Sequence, residues 1–313
     1  TQYRDFATFM TDYLDQLVMG PRYMGINIVE MLLCFDEAGE VSLTEKEKDC
    51  LKQWQALTDA SNNSEIVKMA KATFARYDDV INDEIQFRYV LQSVRAIDSV
   101  GCDKTLRDIH IACQLYGVID HLCKPLSDKM MKLVEDEITL PFARKAVLDL
   151  NDKYLAIQKR DISKSASLKS ADAVKEMSDG EKILRKLIEP YKGKIILLDI
   201  WGTWCGPCKA ALSHSQEEYE RLAPYDMVFL YLANGSSDES WKNVIKEYNV
   251  TGDNVVHYNL PDEQQSAVEH FLKVSSFPTY KLIDEEGNIL DVDAAPRNLN
   301  RLEQLVKLMK GNN

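Results

Sequence analysis

Residues 197–212 read "LLDIWGTWCGPCKAAL", an apolar run that ends in two cysteines with Gly-Pro between them. With Ile195 and Ile196 the run is long and continuous, the pattern of a strand buried on both faces. Pro207 suits the first turn of a helix, where its fixed φ and missing N–H cost nothing. A strand leading into a helix puts Cys205 at the helix N-terminus, where free backbone N–H groups and the helix dipole favour a thiolate. Cys208 falls one turn on, within disulfide reach and turned inward. This arrangement suits thiol-disulfide exchange: an exposed thiolate attacks a substrate disulfide, and the buried partner resolves the mixed disulfide. Gly206 would let a substrate backbone approach. Two other readings of the pair are a zinc half-site and two buried thiols close by coincidence. Zinc needs two further ligands, and no second Cys-x-x-Cys or histidine pair stands in this half of the chain. Gly-Pro is awkward in a helix interior, which weighs against the coincidence.

Asp199 interrupts the apolar strand. A carboxylate there is costly to bury and its pKa should rise, unless it reaches water from the strand end.

Around this stretch the chain changes character. Residues 3 to about 160 read as successive helices. Phe87, Val90, Leu91, Val94 and Ile97 make one helical face, and Ala143, Val147, Leu150, Tyr154 and Ile157 make another. Ser42 with Glu45, and Asn62 with Glu65, fit capping boxes, and Pro141 fits a first turn. From 161 to 180 the periodicity fades into a stretch rich in Ser, Lys and Ala, a linker candidate that sets a boundary near 165. Beyond it, strand and helix signals alternate: strands near 194–201, 227–233, 255–258, 279–284 and 288–292, with helices between and a terminal helix from about Leu299. Alternation of this kind predicts an α/β sheet covered on both faces, with an antiparallel hairpin at one edge. Two domains follow: 1–165, all-helical, and 166–313, α/β.

The formal charge of −12 is spread over both halves without a basic stripe, which argues against nucleic acid or an anionic membrane surface as partner. The longest apolar runs are strand-sized, far below the roughly 20 residues of a spanning helix. Seven cysteines in 313 residues are too few for a disulfide-stapled fold. The five in the helical half (34, 50, 102, 113, 123) have spacings that match no metal template, and read mainly as buried apolar thiols.

"WCGPC" after Asp199-Ile200-Trp201 resembles thioredoxin. The longer "YKGKIILLDIWGTWCGPCKAAL" is similar to the TlpA/ResA branch of bacterial thioredoxin-like thiol-disulfide oxidoreductases, over about residues 175–313. "SSFPTYKLIDEEG" is similar to that family's cis-proline loop, and residues 235–271 to its inserted strand and helix. The resemblance implies a thioredoxin fold with a mixed sheet, and a redox-active Cys205-Cys208 disulfide with no other cofactor and no metal. It implies Pro278 in cis facing Cys205, and Phe277 offering its backbone to substrate. Asp199 would serve as general acid/base for the inner thiol. Trp204, Gly206, Pro207, Phe277 and Pro278 would line the docking surface, with Trp201 in the core. One departure stands out: where thioredoxin pairs its buried acid with a lysine on the next strand, pattern alignment leaves Tyr231. Asp238 or Glu239, in the loop after that strand, are candidate replacements.

The expected partners are protein thiol or disulfide substrates and an upstream thiol reductant. The CGPC motif and the acid resemble those of reducing members, which favours reduction over oxidation. An exported, periplasmic location is implied by the resemblance and by a start without methionine, with a cytoplasmic location as the alternative. The helical half resembles no family recognised from these residues; it could recruit a substrate, dimerise the chain or hold the redox domain off a membrane. Rival functions are a thioredoxin-like peroxidase, whose Thr-x-x-Cys spacing Thr203 misses by one residue, a copper chaperone, which would want Cys-x-x-x-Cys, and a helical binding or assembly protein with a regulatory redox module.

Overall fold

The computed structural model of the chain describes residues 27–56 and 65–311. Helical periodicity yields α1 (Ile28–Ala38), α2 (Glu45–Gln55), α3 (Glu65–Arg76), α4 (Asp78–Val100), α5 (Lys104–Leu122), α6 (Asp128–Glu137) and α7 (Pro141–Gln158). Of the first predicted face, Val90, Val94 and Ile97 are buried; of the second, Ala143, Val147, Tyr154 and Ile157 are. Pro141 opens α7 as its backbone constraints require. The capping box lies two residues beyond the expected one: Thr44 accepts the Glu47 N–H while the Glu47 carboxylate accepts the Thr44 N–H, at 3.3 and 2.8 Å. Ser42 falls outside the helix, its N–H donated to the Tyr77 hydroxyl. The Asn62 and Glu65 box lies outside the described residues at Asn62.

The chain separates into two compact units, 1–118 with 126–149, and 119–125 with 150–313. The expected boundary at 165 therefore falls inside the second unit, which takes in the end of α7 and the turn after α5. In the first unit, Val29, Leu32, Leu51, Ala70 and Ile81 form a core among α1 to α4. Asp108 is buried there; burial would raise its pKa, but N–H groups of Thr139 and Leu140 and the Thr139 hydroxyl, all donated to one oxygen, hold it below the ordinary carboxylate value.

The second unit holds β1 (Ile196–Trp201), β2 (Val228–Ala233), β3 (Val255–Asn259), β4 (Thr279–Ile283) and β5 (Ile289–Leu290) in the order β3-β2-β1-β4-β5. Pairs β1-β2 and β2-β3 are parallel; β1-β4 and β4-β5 are antiparallel. This is the mixed sheet of a thioredoxin fold, with helices α8 (Gly180–Ile188), α9 (Gly206–Leu212), α10 (Ser215–Leu222), α11 (Asp238–Tyr248), α12 (Asp262–Leu272) and α13 (Leu299–Gly311) around it. Ile196, Leu198 and Ile200 alternate onto one face. There they share an apolar core with Leu230 and Leu232 of β2, with Ile183 and Leu184 of α8, and with Val268 of α12. Leu197, Asp199 and Trp201 take the other face.

The segment 161–180, expected as a linker, is pinned to the sheet edge ahead of α8, which begins at Gly180. Leu168 bridges His257 in parallel, the His257 N–H donates to the Ser167 carbonyl at 2.8 Å, and the Ser167 hydroxyl donates to the Gly252 carbonyl at 3.0 Å. Val174 is fully buried in the apolar core. Serine and lysine content suggests solvent, whereas backbone hydrogen bonds along β3 hold the segment in place.

Candidate active site

Strand β1 ends at Trp201 and α9 begins five residues later, so the intervening turn decides where the thiols stand. Gly202 makes that turn possible: a Cβ there would come within 2.6 Å of the Trp204 indole nitrogen. Its absence lets the indole fold back and donate its N–H to the Asn234 carbonyl at 3.1 Å. The Thr203 N–H donates to Ser236 Oγ, tying the turn to the loop after β2.

Cys205 is the N-cap of α9 and is disulfide-bonded to Cys208, whose backbone N–H points at the Cys205 sulfur, 3.2 Å away. Cys205 keeps 5 % of its surface and Cys208 1 %. The expected exposed thiol is thus largely covered in the disulfide form, and it remains the more accessible of the two residues. Nothing stands within 4 Å of a Cβ built on Gly206, leaving that approach open.

Across from α9 runs the loop that leads into β4. Its Phe277-Pro278 bond is cis. Phe277 meets Trp204 edge to face at 5.2 Å between ring centroids. Trp204 is 40 % exposed, an apolar surface next to the disulfide, while Trp201 is fully buried as expected of a core residue. Pro207 and Ala211 of α9 form one wall of a groove of about 930 Å³; Phe277, Pro278 and Tyr280 form another. The structure therefore brings Trp204, Phe277, Pro207 and Pro278 to one surface beside Cys205 and Cys208.

Asp199 lies in the middle of β1, in register with Tyr231 on β2 and Tyr280 on β4. It does not reach water as a strand-end residue would: it is buried, and its Oδ1 has no hydrogen-bond partner. Burial first, and the Glu218 carboxylate second, push its pKa well above the ordinary value. Tyr231 occupies the register position predicted for it, and its hydroxyl meets that of Tyr219 at 2.7 Å. The expected replacements for the missing lysine are occupied elsewhere. Asp238 pairs with Lys242 at 2.6 Å and Glu239 is bonded to Gln158, both at the start of α11. The group that acts on Asp199 is Glu218 of α10, itself buried and pushed up to about 7 by burial and then by the Glu217 carboxylate.

Two more side chains carry no signal in the sequence. Lys209, next to Cys208, is buried; its ammonium donates to the Asp120 carbonyl at 2.8 Å and approaches the Cys123 sulfur at 4.0 Å. With the Ser240 hydroxyl donating to Leu122 and the Asn243 amide donating to Cys123 at 3.0 Å, it caps the carbonyls that end α5. His257 is buried, stacked on Tyr231 and bonded through Nε2 to the Val250 carbonyl; burial pulls its pKa down to about 4, leaving a neutral structural ring.

The family match falls on this unit. Residues 193–289 match the thioredoxin-like family model. ResA, a thiol-disulfide oxidoreductase of Bacillus subtilis, is 26 % identical over 140 residues, 44 % of this chain and 72 % of its own. ResA of Bacillus thuringiensis is 26 % identical over 129 residues, covering 41 % of this chain and 69 % of that protein. The thioredoxin-like protein YneN of Bacillus subtilis is 26 % identical over 158 residues, 50 % of this chain and 86 % of that one. Among solved structures, the thioredoxin domain of a thiol-disulfide oxidoreductase from Bacteroides vulgatus is similar at 21 % identity and a TM-score of 0.33, over 39 % of this chain and 84 % of that one.

Proposed function

We propose that the second unit exchanges disulfides with protein substrates, in the reducing direction. The observation that carries this reading is the Cys205-Cys208 disulfide at the head of α9, a helix whose Pro207 and Ala211 line one groove with Phe277 and Pro278. In the reduced protein the Cys205 thiolate attacks one sulfur of a substrate disulfide, and a substrate thiolate leaves and takes a proton from water. The Cys208 thiol then gives its proton to the Asp199 carboxylate. The resulting Cys208 thiolate attacks the Cys205 sulfur and forms the intramolecular disulfide; the second substrate sulfur leaves as a thiolate and is protonated by water. The substrate gains two electrons and the cysteine pair loses them; an upstream thiol reductant restores the pair. Trp204 and Phe277 provide the apolar docking surface, Gly206 the room for a substrate backbone, and Pro207 and Pro278 the groove walls. The reaction needs no cofactor besides the cysteine pair.

The similarity to ResA-type proteins supports an exported bacterial location. No helix among the described residues is long and apolar enough to cross a membrane.

Insulin reduction with dithiothreitol as electron donor tests the reading. The wild-type protein should accelerate it and Cys205→Ser should not; an inactive wild-type protein would overturn the reading. Cys208→Ala should hold substrates as mixed disulfides on Cys205, which mass spectrometry identifies after non-reducing separation.

A further inference from the structure

Asp199 stands in a chamber of acids. Tyr231 reaches it from β2 and Tyr280 from β4, in register; Glu218 and Tyr219 reach it from α10. Among the described residues, neither Asp199 nor Glu218 has an ion-pair partner. Glu217 adjoins Glu218, and His214 and Arg297 line the same groove. The two carboxyls differ in their access to water: Glu218 forms part of the groove wall, together with Pro207, Pro278 and Tyr280, and Asp199 does not. A carboxyl that accepts the Cys208 proton must lose it again before the next cycle, and Asp199 has an orphaned, buried oxygen with which to do so.

We propose that Asp199 and Glu218 work as one pair that holds a single proton, in which Glu218 exchanges protons with the water of the groove on behalf of Asp199. The inference rests on the disulfide-exchange reading above and extends it. Two neighbouring buried carboxyls resist double ionisation, so one proton stays on the pair near neutral pH. When that proton sits on Glu218, Asp199 is ionised and takes the proton from the Cys208 thiol. The Cys208 thiolate forms its bond to Cys205 as the Cys205–substrate bond breaks. Glu218 then gives its proton to groove water, and the pair again holds one, which passes from Asp199 to Glu218 for the next cycle. The neutral-range value of Glu218, about 7, suits a group that trades protons with water at physiological pH. Glu218 acts through Asp199 and touches no reacting sulfur.

The test is the pH profile of the resolving step, followed in single-turnover exchange with a mixed disulfide formed on Cys205. In the wild-type protein the rate falls on the acid side. Glu218→Gln removes a like charge beside Asp199, so this acid limb should move down by roughly one pH unit, and in multiple-turnover insulin reduction the maximal rate should fall several-fold because the proton has lost its exit. Asp199→Asn should abolish the limb. A Glu218→Gln profile superimposable on that of the wild type would overturn the proposal, since a purely structural role leaves the limb in place. Infrared titration of the wild-type protein gives a second reading that does not depend on the variant folding. The protonated-carboxyl band should lose intensity in two steps, with the first near neutrality; ionisation of all carboxyls below pH 5 would overturn the pair. Failure of insulin reduction in the wild-type protein would instead remove the exchange reading, while the infrared titration would still report on the pair.

Discussion

The two faces of β1 are built to opposite rules. Ile196, Leu198 and Ile200 sit in a core where α8, α12 and the neighbouring strands supply apolar side chains. Asp199, one residue away from two of them, faces Glu218, Tyr219, Tyr231 and Tyr280. The first face needs no particular pH to be stable. The second keeps carboxyls where water would serve them better, a cost in stability that the proton-acceptor role proposed for Asp199 would account for. The comparison breaks most visibly at Leu198, which is fully buried. Leu198→Ala should lower unfolding free energy by about 2–5 kcal/mol, measured by urea titration, with the same loss at pH 5 and pH 8. A strongly pH-dependent loss would mean that the apolar face is coupled to the acid chamber.

The acid face should show the reverse dependence. Glu218 has a folded pKa raised from 4.5 to about 7, and that of Asp199 is raised in the same direction by burial and by Glu218. Between the unfolded and folded values the native state binds more protons than the unfolded chain, so stability falls as pH rises. The contribution is fully present below about pH 4 and is lost as pH passes through 7. One pKa unit corresponds to about 1.4 kcal/mol, so Glu218→Gln should stabilise the protein by up to roughly 3 kcal/mol at pH 8 and by almost nothing at pH 4. Paired urea titrations at the two pH values check this. Equal effects at both would show that Glu218 ionises normally in the folded protein.

Legibility in the sequence follows how local each signal is. The apolar run, the Gly-Pro turn between the thiols and the Phe-Pro dipeptide are short patterns with strong backbone meaning, and β1, α9 and the loop before β4 lie where those patterns put them. Glu218 is not legible. Within "SQEEYERL" it is one of three glutamates on a short helix that reads as solvated surface, and only the tertiary packing of α10 turns it inward. Tyr231 stands where pattern alignment puts it because register follows from strand pairing. The segment 161–179 misleads because, besides the buried Val174, its anchors are backbone groups and one serine hydroxyl, which composition does not reveal. Residues 119–125 join the second unit for a related reason: Lys209, Ser240 and Asn243 meet the carbonyls that end α5 only once the chain has folded.

A smaller effect sharpens the contrast at the mouth of the site. Gly202→Ala puts a methyl group where the Trp204 indole lies, 2.6 Å from its nitrogen. The indole must swing away from the Asn234 carbonyl and from Phe277. Overpacking of this kind costs roughly 1–3 kcal/mol, and substrate exchange should slow while the pH dependence of stability stays that of the wild type. Tryptophan fluorescence together with melts at two pH values separates the Trp204–Phe277 surface from the acid chamber around Asp199.

The finest division lies within the acid face, between its charge and its hydrogen bonds. Tyr219 and Tyr231 share one hydroxyl contact of 2.7 Å, and burial raises the pKa of both phenols, so both remain neutral across the working range. Tyr219→Phe removes one hydroxyl and leaves the other buried without that partner, a loss of about 1 kcal/mol. Because no proton is taken up or released at these groups between about pH 5 and 8, the loss should be equal at both ends of that range. Should it grow with pH, the phenols would be sharing the carboxyl proton, and the pair of acids proposed for Asp199 and Glu218 would have to be widened to include them.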